Sequence, residues 1–238
     1  MLIKPGNVIK LGQHRLACGD CRDESLVKNL IGDNKISLVV TDPPYGISYI
    51  ENKSSFAKIR TDKIIENDNF KSEEEYKRFS NQWLSCLKTY LDSKNSLYIF
   101  QGDKMLFALK AALDEQNIKL AQLLIWVKSQ SVIGRKDYMG CHELILYCWS
   151  GTHRFYKSKD STLLYCPKPS KNLLHPTMKP VSLIRRLILN SSNIGDIVFD
   201  PFAGSGTTLL ACEQTARRCL TIESDSDYCM TIITRYKK

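Results

Sequence analysis

The sequence predicts an α/β protein in which helices cover both faces of a mostly parallel β-sheet. Apolar runs alternate with amphipathic helical segments along the chain of 238 residues, as in proteins built from β-α-β units. Three unusual corners directly follow predicted strands: Gly19-Asp20, Asp42–Tyr45 and Asp200–Gly206. Parallel sheets bind ligands at the carboxyl ends of their strands, so these corners are candidate ligand sites. The length suits one substantial domain, and we expect residues 1–238 to form it.

Hydrophobic periodicity and turn residues assign the individual elements. The predicted strands cover residues 13–18, 36–40, 96–100, 120–127 and 142–149, and the last two are expected to be neighbours. The predicted helices cover residues 23–31, 72–91, 103–116 and 175–192. Ser72 and Glu75 form a Ser-x-x-Glu capping box in the second helix, and a proline is expected in the first turn of the fourth. Residues 196–215 and 217–236 are each typical of a strand-turn-helix unit.

The charge distribution indicates a polyanionic partner. The formal net charge is +9, and residues 128–179 contain nine Lys and Arg against three Asp and Glu. Aromatic residues such as Tyr138 and Tyr165 are interspersed in this segment. Because the segment lies between two candidate active-site motifs, nucleic acid is favoured over a merely solvated loop. The N-terminus lacks the apolar core of a signal peptide, and no apolar run is long enough to span a bilayer. We therefore expect a cytoplasmic protein without a membrane partner.

The nine cysteines indicate free thiols in a reducing compartment. Their number is odd, and most of them fall in predicted core segments. Cys18 and Cys21 form a CxxC pair, but no second pair or histidine pair lies at zinc spacing. No metal site is predicted.

The corner at residues 200–206 has the features of a nucleoside site. Gly204 and Gly206 lie between a strand and a helix, where the backbone can approach a ligand closely. Glu223 ends the next strand at the spacing from which a carboxylate binds the hydroxyls of a ribose. Asp200 adds a carboxylate beside the glycines, which would repel a diphosphate and attract a cation. These residues favour a positively charged nucleoside over a dinucleotide.

Four sequence motifs resemble those of the amino-group DNA methyltransferases that use S-adenosylmethionine. DPPY at 42–45 is similar to their catalytic motif, and DPFAGSGTT at 200–208 to their cofactor motif. HPTMKP at 175–180 and GDC at 19–21 are also similar to motifs of the family. The order, with the catalytic motif first, is that of the β class, whose members include orphan and phage-borne adenine methylases. The resemblance implies a Rossmann-like fold with a mostly parallel seven-stranded sheet, one antiparallel strand and a circularly permuted motif order.

The resemblance also implies which residues bind S-adenosylmethionine. The residues expected around its methionine part and sulfonium are Asp200, Phe202, Gly204, Gly206 and Thr207. Glu223 is expected to bind the ribose, and Asp20 to lie near the adenine end of the cofactor. His175, Thr177 and Lys179 are expected to close over the methionine carboxylate.

The DPPY motif suits the methylation of an exocyclic amine, which is a poor nucleophile because its lone pair is delocalised into the ring. Asp42 and the carbonyl of Pro43 are expected to accept the two N–H groups and to direct the lone pair at the methyl group. Pro43 and Pro44 fix the backbone that carries these acceptors. Tyr45 offers a ring on which a flipped-out base can stack.

DNA contacts are expected in two variable segments, residues 51–70 and 128–172. The candidates are Lys53, Lys58, Arg60, Arg135, Lys136, Arg154 and Lys157, which would neutralise phosphates or read guanine. For each of them a solvated surface charge is the alternative. The expected partner is double-stranded DNA; a homodimer is one expectation from the resemblance, and a partner restriction nuclease is left open.

Three alternatives to an adenine-N6 methyltransferase follow from the same residues. Cytosine-N4 methylation is the nearest, although aspartate at the first position of DPPY favours adenine. The second is a nucleic-acid-binding protein that retains the cofactor pocket without catalysis. The third is an enzyme that acts on RNA.

Overall fold

The computed structural model describes residues 3–45, 70, 72–129, 137–157, 159–167 and 178–238. The strands are β1 (Val8–Leu11), β2 (His14–Cys18), β3 (Ile36–Thr41), β4 (Leu91–Gln101), β5 (Lys119–Val127), β6 (His142–Trp149), β7 (Thr152–His153), β8 (Leu163–Tyr165), β9 (Ile197–Asp200) and β10 (Arg218–Glu223). The helices in the described ranges are α1 (Glu24–Ile31), α2 (Glu73–Lys88), α3 (Leu106–Glu115), α4 (Val181–Ser191), α5 (Thr207–Gln214) and α6 (Ser226–Tyr236).

The strands form one twisted sheet in the order β1-β2-β10-β9-β3-β4-β6-β5-β8, and β7 pairs separately with β4. The strands from β2 to β5 in this order are the seven predicted from the family resemblance. Among these seven, β6 alone runs antiparallel, pairing with β4 on one side and β5 on the other. The predicted fold class is therefore confirmed, and so is the expectation that β5 and β6 are neighbours.

Helices cover both faces of the sheet. On one face, α1, α2 and α3 pack their apolar sides onto the sheet, and Tyr76 and Trp83 are almost fully buried there. On the other face, α4, α5 and α6 bury residues such as Leu187, Leu209 and Ile232. In β3, Val39 points to the first layer and Leu38 to the second, which is the alternation of a strand buried on both sides.

The start of α2 agrees with the sequence-based prediction, whereas the start of α4 corrects it. Ser72 caps α2, because its hydroxyl accepts a hydrogen bond of 3.2 Å from the backbone N–H of Glu75. Pro180, in contrast, is the N-cap of α4 and lies outside its first turn, since its φ of −63° comes with an extended ψ of 131°. The predicted helix over 175–192 thus begins at Val181, and residues 175–177 lie outside the described ranges.

Three short strands were not predicted. β1 pairs antiparallel with β2, β7 pairs with the start of β4, and β8 pairs parallel with β5 at the edge of the sheet. All nine cysteines are free thiols, and six of them are buried. None of the helices in the described part of the chain is both long and apolar enough to cross a bilayer.

Candidate active site

The carboxyl ends of the central parallel strands bring the predicted corners together at one edge of the sheet, here called the catalytic edge. β2, β10, β9, β3 and β4 all run in the same direction, so Asp20, Glu223, Asp200 and Asp42 lie at or just beyond their ends. β6 runs the opposite way and therefore begins at this edge. Its second residue, Glu143, enters the site from that direction.

A single cavity joins the DPPY corner to the glycine-rich corner. Its lining includes Asp42, Lys179, Asp200, Phe202 and Thr207. A direct hydrogen bond also connects the two corners, because the hydroxyl of Thr41 donates to Oδ1 of Asp200 at 2.9 Å. A group bound at residues 200–207 and a group bound at Asp42 therefore share one space.

Asp42 already accepts two hydrogen bonds. The hydroxyl of Tyr45 donates to its Oδ1 at 2.7 Å, and the ammonium of Lys179 donates to its Oδ2 at 2.5 Å. Lys179 also lies 5.4 Å from the ring centroid of Tyr45 and 5.1 Å from that of Phe100, both within cation–π distance. Lys179, which was expected near the methionine carboxylate, thus contacts the carboxylate of Asp42 and also lines the cavity that reaches Asp200.

Glu143 and Lys128 complete this corner, and neither was predicted as a site residue. Oε2 of Glu143 lies 3.1 Å from the ammonium of Lys179 and 3.2 Å from the hydroxyl of Tyr45. Its Oε1 lies 2.6 Å from the ammonium of Lys128. The useful sequence signal was the charged residue directly before the apolar run LILYCW, because an antiparallel strand begins where its parallel neighbours end.

The titration of these groups follows from burial and from their pairing. Burial alone would raise the pKa of Glu143, but Lys179 and Lys128 outweigh it and lower that pKa to about 2. Burial would lower the pKa of Lys179, yet Asp42 and Glu143 leave it raised. Burial raises the pKa of Asp42, against the opposing effect of Lys179. Lys179 and Glu143 are therefore firmly charged at neutral pH.

The glycine turn between β9 and α5 depends on backbone conformations that favour glycine. Gly206 has a φ of +81°, and a Cβ built on it would lie 2.9 Å from Cγ1 of Ile232. Gly204 has a φ of +52°, and its N–H donates to Oε2 of Glu223 at 2.7 Å. The carboxylate of Glu223 is thus held against the turn, and its contact with a ribose stays a prediction.

Two acidic groups here are buried and easily protonated. Burial raises the pKa of Asp200 to about 6 and that of Glu223 to about 7. Their described hydrogen bonds come from uncharged donors, such as the hydroxyl of Thr41 and the backbone N–H groups of Phe202 and Asp225. A bound cation would favour their ionised forms, so these residues suit a positively charged ligand.

The remaining predicted cofactor residues lie around this turn. The ring of Phe202 packs edge-on against Trp83, with centroids 5.5 Å apart, so α2 supports the turn from one face of the sheet. Asp20 follows β2 and forms an ion pair of 2.6 Å with Arg22. The neighbouring Gly19 donates its N–H to the carbonyl of Glu223 at 2.9 Å, which places Asp20 beside the proposed ribose site.

Arg154 is not at the catalytic edge. It follows β7, which pairs with Lys94 and Asn95 near the start of β4, at the opposite end of the sheet. Its guanidinium pairs with Asp196 at 2.7 Å and Asp92 at 3.4 Å. Arg154 therefore connects the amino ends of β4 and β9 through its ion pairs, and its contact with DNA stays a prediction.

Several other predicted residues fall outside the described ranges. They are Lys53, Lys58, Arg60, Arg135, Lys136, His175 and Thr177. Lys157 is described and exposed.

Comparison with known proteins identifies the family. The sequence model of the N6/N4 methyltransferase family, which is described as DNA methylase, matches residues 36–234, most of the chain. The chain belongs to the DNA methylase family. This result confirms the amino-group DNA methyltransferase predicted from the four motifs, and S-adenosylmethionine is the methyl donor expected for it.

Individual relatives agree with this assignment. This DNA methylase is 29% identical over 241 residues to the Type II methyltransferase M.HpaI of Haemophilus parainfluenzae, a match that covers 90% of this chain and 71% of M.HpaI. Its fold is similar to that of M1.HpyAVI, solved as a complex with SAM, with a TM-score of 0.68, 24% identity and coverage of 92% and 98% of the two chains. It also resembles the cytosine-N4-specific PvuII DNA methyltransferase, with a TM-score of 0.72, 18% identity and coverage of 98% and 95%.

Proposed function

We propose that this DNA methylase transfers a methyl group from S-adenosylmethionine to the exocyclic N6 amine of an adenine in double-stranded DNA. The observation that carries the proposal is the single cavity lined by both Asp42 and Asp200. Methyl transfer requires donor and acceptor to meet in one space, and this cavity connects the two proposed sites. Aspartate as the first residue of DPPY favours adenine over cytosine.

The glycine turn and its acids fit the proposed cofactor. When bound, S-adenosylmethionine supplies an electrophilic methyl carbon carried on a cationic sulfur. Asp200 would balance that positive charge, and Glu223, which already accepts hydrogen bonds from Gly204 and Asp225, would accept the ribose hydroxyls. Ser205 and Thr207, on either side of Gly206, line the cavity, so the turn borders the space proposed for the cofactor.

Asp42 is the proposed acceptor for one N–H of the target amine, and the carbonyl of Pro43 for the other. The hydrogen bonds that Asp42 accepts from Tyr45 and Lys179 support an acceptor role, because they orient both carboxylate oxygens. The lone pair of N6 forms the new N–C bond, and the pair of the broken S–C bond stays on sulfur. N6 then releases a proton to Asp42, from which it passes to solvent.

Cofactor affinity should depend on pH through Asp200 and Glu223. Both must be ionised to hold a cationic nucleoside, and their pKa values are about 6 and about 7. We expect the Kd for S-adenosylmethionine to rise by up to about a hundredfold from pH 7.5 to 5.5, because protonation of the two acids then competes with binding. Isothermal titration calorimetry across this range measures the effect, and a constant Kd would contradict the assignment of both acids.

The stability of the protein without cofactor provides an internal control, because its dependence on pH has the opposite sign to that of cofactor affinity. Folding raises the pKa of both acids above their ordinary values of 3.8 and 4.5. Their contribution to stability is therefore complete below about pH 4 and is lost as the pH rises through 6 and 7. Low pH should thus weaken cofactor binding while these two groups stabilise the fold.

Exposed aromatic residues near the catalytic edge support DNA as the substrate. Tyr165 ends β8 next to Val127 and is 71% exposed, and Tyr138 in the connection between β5 and β6 is 91% exposed. We infer that they contact DNA around the flipped base, since aromatic rings stack on unpaired bases.

The activity is tested by incubating purified protein with unmethylated plasmid DNA and S-adenosylmethionine carrying an isotopic label in its methyl group. After digestion to nucleosides, we expect the label in N6-methyladenine. Label in N4-methylcytosine would establish the cytosine alternative instead. Tight DNA binding without any labelled product would indicate a protein that has lost catalysis, and preferential labelling of RNA in a competition at matched salt would redirect the substrate.

A further inference from the structure

Each carboxylate oxygen of Asp42 already accepts a hydrogen bond in the described structure. Tyr45 donates to Oδ1 and Lys179 donates to Oδ2. Because each oxygen has a second lone pair, an incoming amine must either share an oxygen with one of these donors or displace it. The ammonium of Lys179 is the more difficult group to displace, because its side chain is only 8% exposed and a buried charge requires a partner.

Glu143 provides that second partner. Its Oε2 lies within reach of both displaceable donors, at 3.1 Å from Lys179 and 3.2 Å from Tyr45. Its other oxygen is fixed by Lys128 at 2.6 Å, and Lys128 is only 7% exposed. One glutamate thus lies behind the two groups that cover the catalytic carboxylate.

We propose that Glu143 is a positioning residue for methyl transfer, which holds Lys179 and Tyr45 in place when the target base binds at Asp42. This inference rests on the proposed function and extends it to a residue that the four motifs do not include. Glu143 acts through its neighbours and is not required to touch the base or the cofactor.

The charges of the corner support this role. Lys128 and Lys179 are balanced by Glu143 and Asp42, so the four side chains are neutral together. Without the charge of Glu143, two ammonium groups would face one carboxylate. The excess positive charge would hold Lys179 on Asp42 and would oppose the positive charge that develops on N6 as the new bond forms.

The key variant is Glu143→Gln, which keeps the shape of the side chain and removes its charge. We expect kcat for methyl transfer to fall about a hundredfold, while KM for S-adenosylmethionine stays within about threefold. The matched control is Glu115→Gln, because Glu115 also pairs with a lysine, Lys77 at 2.5 Å, but is exposed and remote from the cavity. The control should retain wild-type kcat and KM.

The double variant Lys128→Met with Glu143→Gln separates positioning from a structural role. It restores charge neutrality, since one ammonium then faces one carboxylate, and the amide oxygen introduced by Glu143→Gln can still accept from Lys179. We expect its kcat to exceed that of the single variant Glu143→Gln at least about tenfold. A merely structural role predicts the reverse, because the double variant has lost more native contacts.

Thermal unfolding of all variants, without cofactor or DNA, completes the experiment. Loss of kcat in proportion to loss of stability, or no recovery in the double variant, would overturn the proposal. Wild-type kcat in Glu143→Gln would do the same while leaving the proposed function intact. If the wild-type protein itself transfers no methyl group, the proposed function fails first, so the two failures are distinguishable. Should Glu143→Gln not fold, the double variant is compared with wild type instead: a kcat within about tenfold of wild type supports the proposal, and a larger loss overturns it.

Discussion

Replacing Asp42 with alanine should reduce methyl transfer about a thousandfold or more and leave the Kd for S-adenosylmethionine within about threefold of wild type. The carboxylate is the proposed acceptor that localises the lone pair of N6, so its loss removes an interaction needed in the transition state. Cofactor binding should persist because Asp200, across the cavity, and Glu223, against the glycine turn, keep their proposed contacts with the cofactor. Single-turnover kinetics with labelled cofactor, together with calorimetry of cofactor binding, measure both quantities.

The fold should tolerate this substitution. The side chain of Asp42 is 30% exposed, and Lys179 retains Glu143 as a partner at 3.1 Å when Asp42 is removed. Asp33→Ala is the matched control, because Asp33 is an exposed aspartate that follows α1, and its activity should equal that of wild type. Equal losses of turnover and cofactor affinity in Asp42→Ala would mean that the DPPY corner binds cofactor and has been assigned the wrong role.

Most of the fold could be predicted because its elements carry strong local signals. The run at 36–40 is buried on both sides and contains no charged interruption, and the helix after Ser72 has both a cap and an apolar stripe. β8 could not be predicted in the same way. It has only three residues, and its strand conformation comes from pairing with β5, which is a tertiary contact.

The site was predictable where its residues follow parallel strands, since those strands end at a common edge. Asp42, Asp200 and Glu223 all satisfy that rule. Glu143 does not satisfy the rule, because it lies near the start of β6. The antiparallel direction of β6 becomes apparent only from its pairing with β4 and β5. Arg154 illustrates a different limit: its segment is basic, but β7 directs it to the other end of the sheet and to Asp196. The positive charge of a segment therefore indicates a polyanionic partner, but it does not indicate which of its basic residues face that partner.

Gly206→Ala should lower both stability and cofactor affinity, because two separate effects act at this residue. Gly206 has a φ of +81°, a left-handed conformation that costs an alanine about 1–2 kcal/mol. Its added Cβ would also lie 2.9 Å from Cγ1 and 3.0 Å from Cγ2 of Ile232, which is buried in the core. Relief of such crowding costs about 1–3 kcal/mol more. We expect the free energy of unfolding to fall by about 2–5 kcal/mol, with the melting temperature about 4–20 °C lower.

Gly195 offers a control that separates these two effects. It has the same φ of +81°, but a Cβ built there meets nothing within 4 Å. Gly195→Ala should therefore show only the conformational effect, a loss of about 1–2 kcal/mol, and should keep wild-type cofactor affinity. Gly206→Ala should in addition weaken that affinity about tenfold or more, because Ser205 and Thr207 on either side of it line the cavity and must move with it. Equal melting temperatures for the two variants would show that Ile232 yields freely, and an unchanged Kd for Gly206→Ala would show that the turn does not position the cofactor.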